Sequence, residues 1–186
     1  MIVTVPNKVL ITPAKTVNKI DKKVLQIVAQ MKKDLLNKIS PKGVGLAASQ
    51  VGIALRLFIT RPTENSPIEV FFNPEIIWVS AEIGAIERPQ EGKPALRRDK
   101  KLEGCLSIPN VWGYLKRPKK IRLKYIDLNG QIQEKEFTGF MATIVQHETD
   151  HTNGILFTQR VLEQKEKLYE IEEDEKGEEK LAEIKI

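Results

Sequence analysis

The two histidines of this 186-residue chain stand four residues apart, in Gln146-His147-Glu148-Thr149-Asp150-His151. On a helix, side chains four apart lie one above the other, with Cβ atoms roughly 6 Å apart. Two imidazoles placed this way can grip one metal ion, and Glu148 between them can handle protons beside it. A surface helix with two chance histidines is the plainer reading. Scarcity weighs against it, because the chain has only these two histidines.

A site of this kind commonly takes three protein ligands and keeps one position open for water. With both histidines used, the third ligand is Cys105 or a carboxylate, and Glu163, Glu166 and Glu170 are available downstream. Cys105 is the single cysteine, so no intrachain disulfide forms, and a lone thiol fits a reducing compartment. A thiolate with two imidazoles suits a borderline-soft ion such as Zn²⁺ or Fe²⁺. A glutamate ligand would instead describe a metallopeptidase, and a buried structural thiol is what a single free cysteine most often is. The residues alone leave these open. A second stretch, Gly43-Val44-Gly45-Leu46-Ala47-Ala48-Ser49-Gln50, lets the backbone approach a ligand closely. It lacks the lysine and the spacing of a phosphate loop. Gln50 in this small, apolar company could act as an oriented amide donor.

Several elements must position these groups. Thr138 is a plausible N-cap for the histidine helix, Phe140, Met141, Ile144, Val145, His147 and His151 follow a 3-4 spacing, and Asn153-Gly154 supplies the stop. An earlier amphipathic helix is predicted from Asp21 to Ile39, ended by Ser40-Pro41. Residues 2–17 read as extended. Residues 53–60, 68–73 and 76–86 read as short strands, and Asn129-Gly130 between 120–128 and 131–137 is a hairpin signal. Residues 87–101, polar with two prolines, read as an exposed mobile loop, and Ile155-Leu156-Phe157 as a short apolar segment. The tail reads as a helix or as a charged hairpin turning at 174–177. Strands followed by a packed helix predict an α+β fold.

The hydrophobic share of 41% and charged share of 30% are ordinary for a soluble globular domain. No stretch approaches the ~20 apolar residues of a membrane span, and the N-terminus lacks the pattern of a signal peptide. A cytoplasmic protein with no membrane partner is expected. The net charge is +5; residues 163–186 hold ten acidic and five basic side chains, which is −5 and leaves +10 on residues 1–162. A basic body leaves room for transient contact with a ribosome. No basic stripe interleaved with aromatics points to DNA.

The three stretches Gly43–Gln50, Glu103-Gly104-Cys105-Leu106-Ser107 and Gln146–His151 resemble, in order, the three signature motifs of the peptide deformylase family. Ile2, Pro6, Leu10 and Val17 at the start, and Gly154-Ile155-Leu156-Phe157 with Arg160 at the end, are similar to that family too. The resemblance implies mixed or antiparallel sheets packed around the metal-binding helix, with 1–162 a single catalytic domain and 163–186 a charged extension. It implies removal of the formyl group from the N-terminal methionine of nascent proteins by a metal-bound hydroxide. Cys105, His147 and His151 would hold the ion, Fe²⁺ in the native form and Zn²⁺, Ni²⁺ or Co²⁺ as alternatives. Glu148 would serve as general base and acid, while the Gln50 side chain and the Leu106 N–H would stabilise the oxyanion. Val44 and Gly45 would offer main-chain groups to the N-formylmethionyl peptide, and Phe140, Thr143 and Ile144 would line its methionine pocket. Four positions depart from the family pattern: Ser49 stands where proline is common, Trp112 where many members have arginine, Thr152 in place of a usual leucine and Gln159 in place of a usual aspartate. A deformylase-like binding protein without catalysis is the reading that the first two departures favour.

Overall fold

The computed structural model describes residues 1–38, 42–88, 101–173 and 179–185. Helix α1 (Lys22–Leu36) is capped by Asp21, whose carboxylate accepts the Val24 N–H at 2.9 Å. The helix stops at Leu36, short of the expected end, because Asn37 already forms its C-cap and Lys38 lies past it; Ile39 and the Ser40-Pro41 stop lie outside the described residues. The strands are β1 (Gly45–Ala47), β2 (Leu57–Thr60), β3 (Glu69–Val79), β4 (Ile83–Ala85), β5 (Leu102–Cys105) and β6 (Ile108–Tyr114). They continue with β7 (Lys116–Pro118), β8 (Lys120–Ile126), β9 (Ile132–Thr138), β10 (Leu168–Glu173) and β11 (Glu179–Glu183). Helix α2 (Gly139–Thr152) carries the two histidines, and α3 (Phe157–Glu163) follows it.

The strands form three antiparallel sheets, ordered β1-β2-β3-β8-β9, β11-β10-β6-β5 and β4-β7. The fold is α+β, as the order of elements predicts. Alternation along the first sheet decides its two faces. Leu46, Leu57, Ile59, Val70 and Phe72 join the stripe of α1 in one buried cluster. Ala47, Phe58 and Phe71, one residue out of step, join Ala142 and Val145 of α2 in another. The five-stranded sheet therefore lies between α1 and α2. A third cluster joins Ile108 and Leu115 to Phe157 and Val161 of α3 and to Leu168 of β10.

Phe71 anchors the second cluster. It stacks on Phe58 at 4.6 Å between ring centroids and also meets Tyr125 at 4.7 Å and Phe137 at 5.9 Å. Phe71→Ala is expected to cost about 3–5 kcal/mol of stability, read as a lowered denaturant midpoint with an unchanged slope.

The structure redraws several elements. Residues 53–56 precede β2 instead of belonging to it. The expected pair of strands at 68–73 and 76–86 is one long strand, β3, followed separately by β4. The apparent break is a bulge at Asn73-Pro74. Pro74 has no N–H for the ladder, and Asn73 takes φ +51 while its side chain bonds the Val17 N–H and C=O at 2.8 and 2.9 Å. The Asn129-Gly130 hairpin forms, with Asp127 accepting the Asn129 and Gln131 N–H groups at 2.9 Å each. Phe157 starts a helix that the apolar run alone did not reveal. The tail is the hairpin β10-β11, and β10 pairs with β6; its turn at 174–177, like 89–100 of the expected loop, lies outside the described residues.

Candidate metal centre

Every residue of α2 from Ala142 to Thr152 is buried. This departs from the one-sided helix that the 3-4 spacing predicts, and it sets a physical problem, since most of Gln146-His147-Glu148-Thr149-Asp150-His151-Thr152 is polar. Local bonds solve part of it. Thr149 and Thr152 donate their hydroxyls to the Val145 and Thr149 carbonyls at 2.7 and 2.8 Å. Gln146 Nε2 donates to Pro118 O and Ala142 O, each at 3.0 Å. Thr138 is the N-cap by position, although its side chain makes no capping bond.

Long-range bonds solve more. His147 Nδ1 meets Glu103 Oε1 at 2.6 Å. Arg117 grips Glu103 with a two-pronged fork, Nη2 to Oε1 at 2.7 Å and Nε to Oε2 at 2.9 Å, and its Nη1 reaches Asp150 Oδ2 at 2.9 Å. Burial by itself would push the Glu103 pKa up, but the charge and hydrogen bonds of Arg117, joined by His147, hold that carboxyl well below the ordinary range. Glu103 is thus a fixed anion that orients His147 and leaves its other nitrogen for a ligand.

Among the described residues, two buried atoms of the motif have no hydrogen-bond partner, Glu148 Oε2 and His151 Nδ1. Unpartnered buried polar atoms are costly, so each calls for a physical explanation. Burial pushes the Glu148 carboxyl up to about 7; the neighbouring His147 opposes that shift and Glu103 adds to it. Burial drives His151 well below its usual value. It presses His147 the same way, but hydrogen bonds to Cys105 and Glu103 outweigh it and raise His147 well above its usual value.

Cys105, at the end of β5, completes the group. Its Sγ lies 3.2 Å from His151 Nε2, and the ligand atoms of Cys105, His147 and His151 all lie within 4.8 Å of one another. Among the described residues this is the one cluster of such side chains that could hold a metal ion. Glu163, offered by sequence as a competing ligand, is engaged instead by Gln159 and Arg160. A thiolate, two neutral imidazoles and an oriented carboxylate behind one of them fit a borderline-soft divalent ion.

The glycine-rich stretch lies against this centre. Gln50 sits in a 3₁₀ turn (Ala48–Val51); its Oε1 accepts the Ala47 N–H at 2.8 Å, which aims Nε2 at Cys105 Sγ, 3.4 Å away. Leu106 opens the turn between β5 and β6, and the next N–H, of Ser107, also points at Cys105 Sγ, at 3.4 Å. Among the described residues, β1 is the edge of its sheet and β5 the edge of another, so each has one side without a strand partner there. The Val44 carbonyl is already taken by the Arg61 N–H at 2.7 Å. Gly45 has a role that sequence did not suggest: an added Cβ would fall 2.8 Å from Glu148 Cδ and 2.9 Å from its Cγ. Ser49 is buried in the same turn with its Oγ 3.5 Å from the His151 carbonyl, and Trp112 covers Gly104 beside Cys105. Phe140 is partly exposed, Ile144 is buried, and Thr143 borders a shallow recess with Arg117 and Pro118.

Sequence reasoning passed over Glu103, Arg117, Asp150 and Phe157. Glu103 and Asp150 stood inside quoted motifs, which was a usable signal; Arg117 carried none. Phe157 lies 6.1 Å from His147 between ring centroids, at 28°.

A family model described as polypeptide deformylase matches residues 1–167. The chain is 38% identical over 163 residues to a peptide deformylase of Prochlorococcus marinus (strain NATL1A), covering 86% of this chain and 72% of that one. It is 35% identical over 158 residues to one from Synechocystis sp., covering 83% and 75%. Among solved structures it is similar to the peptide deformylase of Thermotoga maritima, with TM-score 0.72, 32% identity and 87% and 96% of the two chains covered. It is also similar to a Synechococcus elongatus peptide deformylase in complex with actinonin, with TM-score 0.71, 34% identity and 87% and 78% covered.

Proposed function

The chain belongs to the peptide deformylase family, and from that premise we propose that it deformylates the N-terminal methionine of nascent proteins with a divalent ion held by Cys105, His147 and His151. The convergence of the Cys105 sulfur, far away in sequence, with the ligand atoms of His147 and His151 within 4.8 Å carries the reading. When bound, the ion would supply Lewis-acid polarisation and a nucleophile available at neutral pH. Fe²⁺ is the native ion in this reading, with Zn²⁺, Ni²⁺ or Co²⁺ able to substitute.

The protein's own groups do the rest. Glu148 takes a proton from the attacking water and returns one to the departing amine, a task suited to a carboxyl titrating near 7. Gln50 Nε2, locked by the bond from Ala47 to Oε1, donates to the oxygen on which negative charge grows, and the Leu106 N–H in the adjoining turn is the second donor. Glu103 keeps His147 in one orientation. The edge of β1 at Gly45 receives the peptide backbone, with Val44 next to it tied through its carbonyl to the Arg61 N–H, and Phe140, Thr143 and Ile144 receive the methionine side chain. Cytoplasmic residence and a brief ribosome contact complete the picture; no helix among the described residues is long and apolar enough to cross a membrane.

The direct test is formate release from a formyl-Met peptide after anaerobic loading with Fe²⁺ or with Ni²⁺. Tight peptide binding without formate, at full metal occupancy, would favour the non-catalytic alternative. Gly45→Ala gives a second check, because its methyl group displaces the Glu148 carboxylate. A displacement of about 1 Å at a reacting group costs on the order of 10²-fold in rate, and here kcat should fall while metal content stays whole.

A further inference from the structure

The carboxylate behind His147 is itself held from further out, and we infer that Arg160, on α3, is a positioning residue for the metal ligand His147. This rests on the metal-holding role proposed above for Cys105, His147 and His151. The connection runs through four charged side chains of alternating sign. Arg160 Nη2 bonds Asp150 Oδ1 at 2.9 Å, with its Nε 3.4 Å from Oδ2. Asp150 Oδ2 takes Arg117 Nη1 at 2.9 Å. Arg117 turns its other two donors on Glu103, and Glu103 takes His147 Nδ1. Glu103, Arg117 and Asp150 are buried, whereas 37% of the Arg160 side chain is exposed.

The physical reason lies in how Arg117 is shared. One guanidinium serves two carboxylates, and Arg160 carries part of the attraction of Asp150. Without Arg160, the whole pull of Asp150 falls on Arg117 and competes with the fork on Glu103. A loosened Glu103 holds the imidazole less firmly, and the ligand nitrogen wanders. Loss of a directly bonded partner behind a metal ligand typically costs 10–100-fold in affinity. Arg160 acts three links out. It also borders a cavity of about 230 Å³ lined by Leu115, Lys116, Gln146 and Gln164, where water can partly replace it. A smaller effect follows, about 3–10-fold.

The experiment follows the rate at which Zn²⁺ passes from the loaded protein to a chromophoric chelator, alongside the thermal midpoint of the metal-free protein. Arg160→Leu should speed release about 3–10-fold, and Arg160→Lys, which restores charge without the fork, should fall between. Glu163→Gln removes only the outer ion pair of Arg160 and should leave release unchanged. In a Glu103→Gln background, Arg160→Leu should add nothing, since the link is already cut. A lowered midpoint with unchanged release in Arg160→Leu would assign Arg160 a merely structural role and overturn the inference, as would equal effects with and without Glu103. If the unaltered protein binds no Zn²⁺, the metal reading itself fails, and that result is distinct from the others.

Discussion

Glu148→Gln is expected to leave a folded, metal-loaded protein whose kcat for formate release is lower by about 10²–10⁴-fold, the range that a positioned acid–base group commonly supplies. Glutamine keeps the shape of the side chain and its fit against Gly45, where the carboxyl group already lies too close for any added methyl. It cannot hold a proton at Oε2, the atom left without a partner in the buried site. Burial, which pushes the carboxyl to about 7, no longer matters once the group cannot titrate. Metal analysis and a single-turnover assay on the same preparation separate chemistry from occupancy. Turnover within a few-fold of the unaltered protein would remove Glu148 from the mechanism.

Cys105→Ser should act earlier, on the ion itself. Sulfur here receives donors from Gln50 Nε2 and the Ser107 N–H and lies against His151 Nε2. A serine hydroxyl is a far poorer ligand than a thiolate for a borderline-soft ion. The expected loss of affinity exceeds the ~10–100-fold typical of an outer partner, so dialysis should strip the variant at concentrations where the unaltered protein stays loaded. Thiolate-to-metal absorption of the Co²⁺ form should vanish with it. Full occupancy and activity in Cys105→Ser would instead revive a carboxylate as third ligand.

The two variants also separate the layers of the site. Glu148 is placed by helix geometry, one residue from His147, and by the absence of a side chain at Gly45. Cys105 is placed by β5, whose pairing with β6 brings a residue 46 positions from His151 to 3.2 Å. The first relation is local in the chain. The second exists only in the folded protein.

That difference explains what could be read in advance. The i, i+4 histidines, the Asp21 cap and the Asn129-Gly130 hairpin are set by neighbours within a turn or two, so spacing and residue type determine them. The family motifs extended that reading to Cys105 and Gln50. Only the tertiary structure decided that α2 is buried on every side, that Asn73-Pro74 is a bulge within one strand, and that Gly45 makes room for Glu148. It alone joined Glu103, Arg117, Asp150 and Arg160 behind His147. Partners in a buried ion network come from separate strands and helices, and nothing periodic in the sequence links them. Charge must be neutralised wherever the fold buries it, and where that happens depends on packing that no short stretch contains.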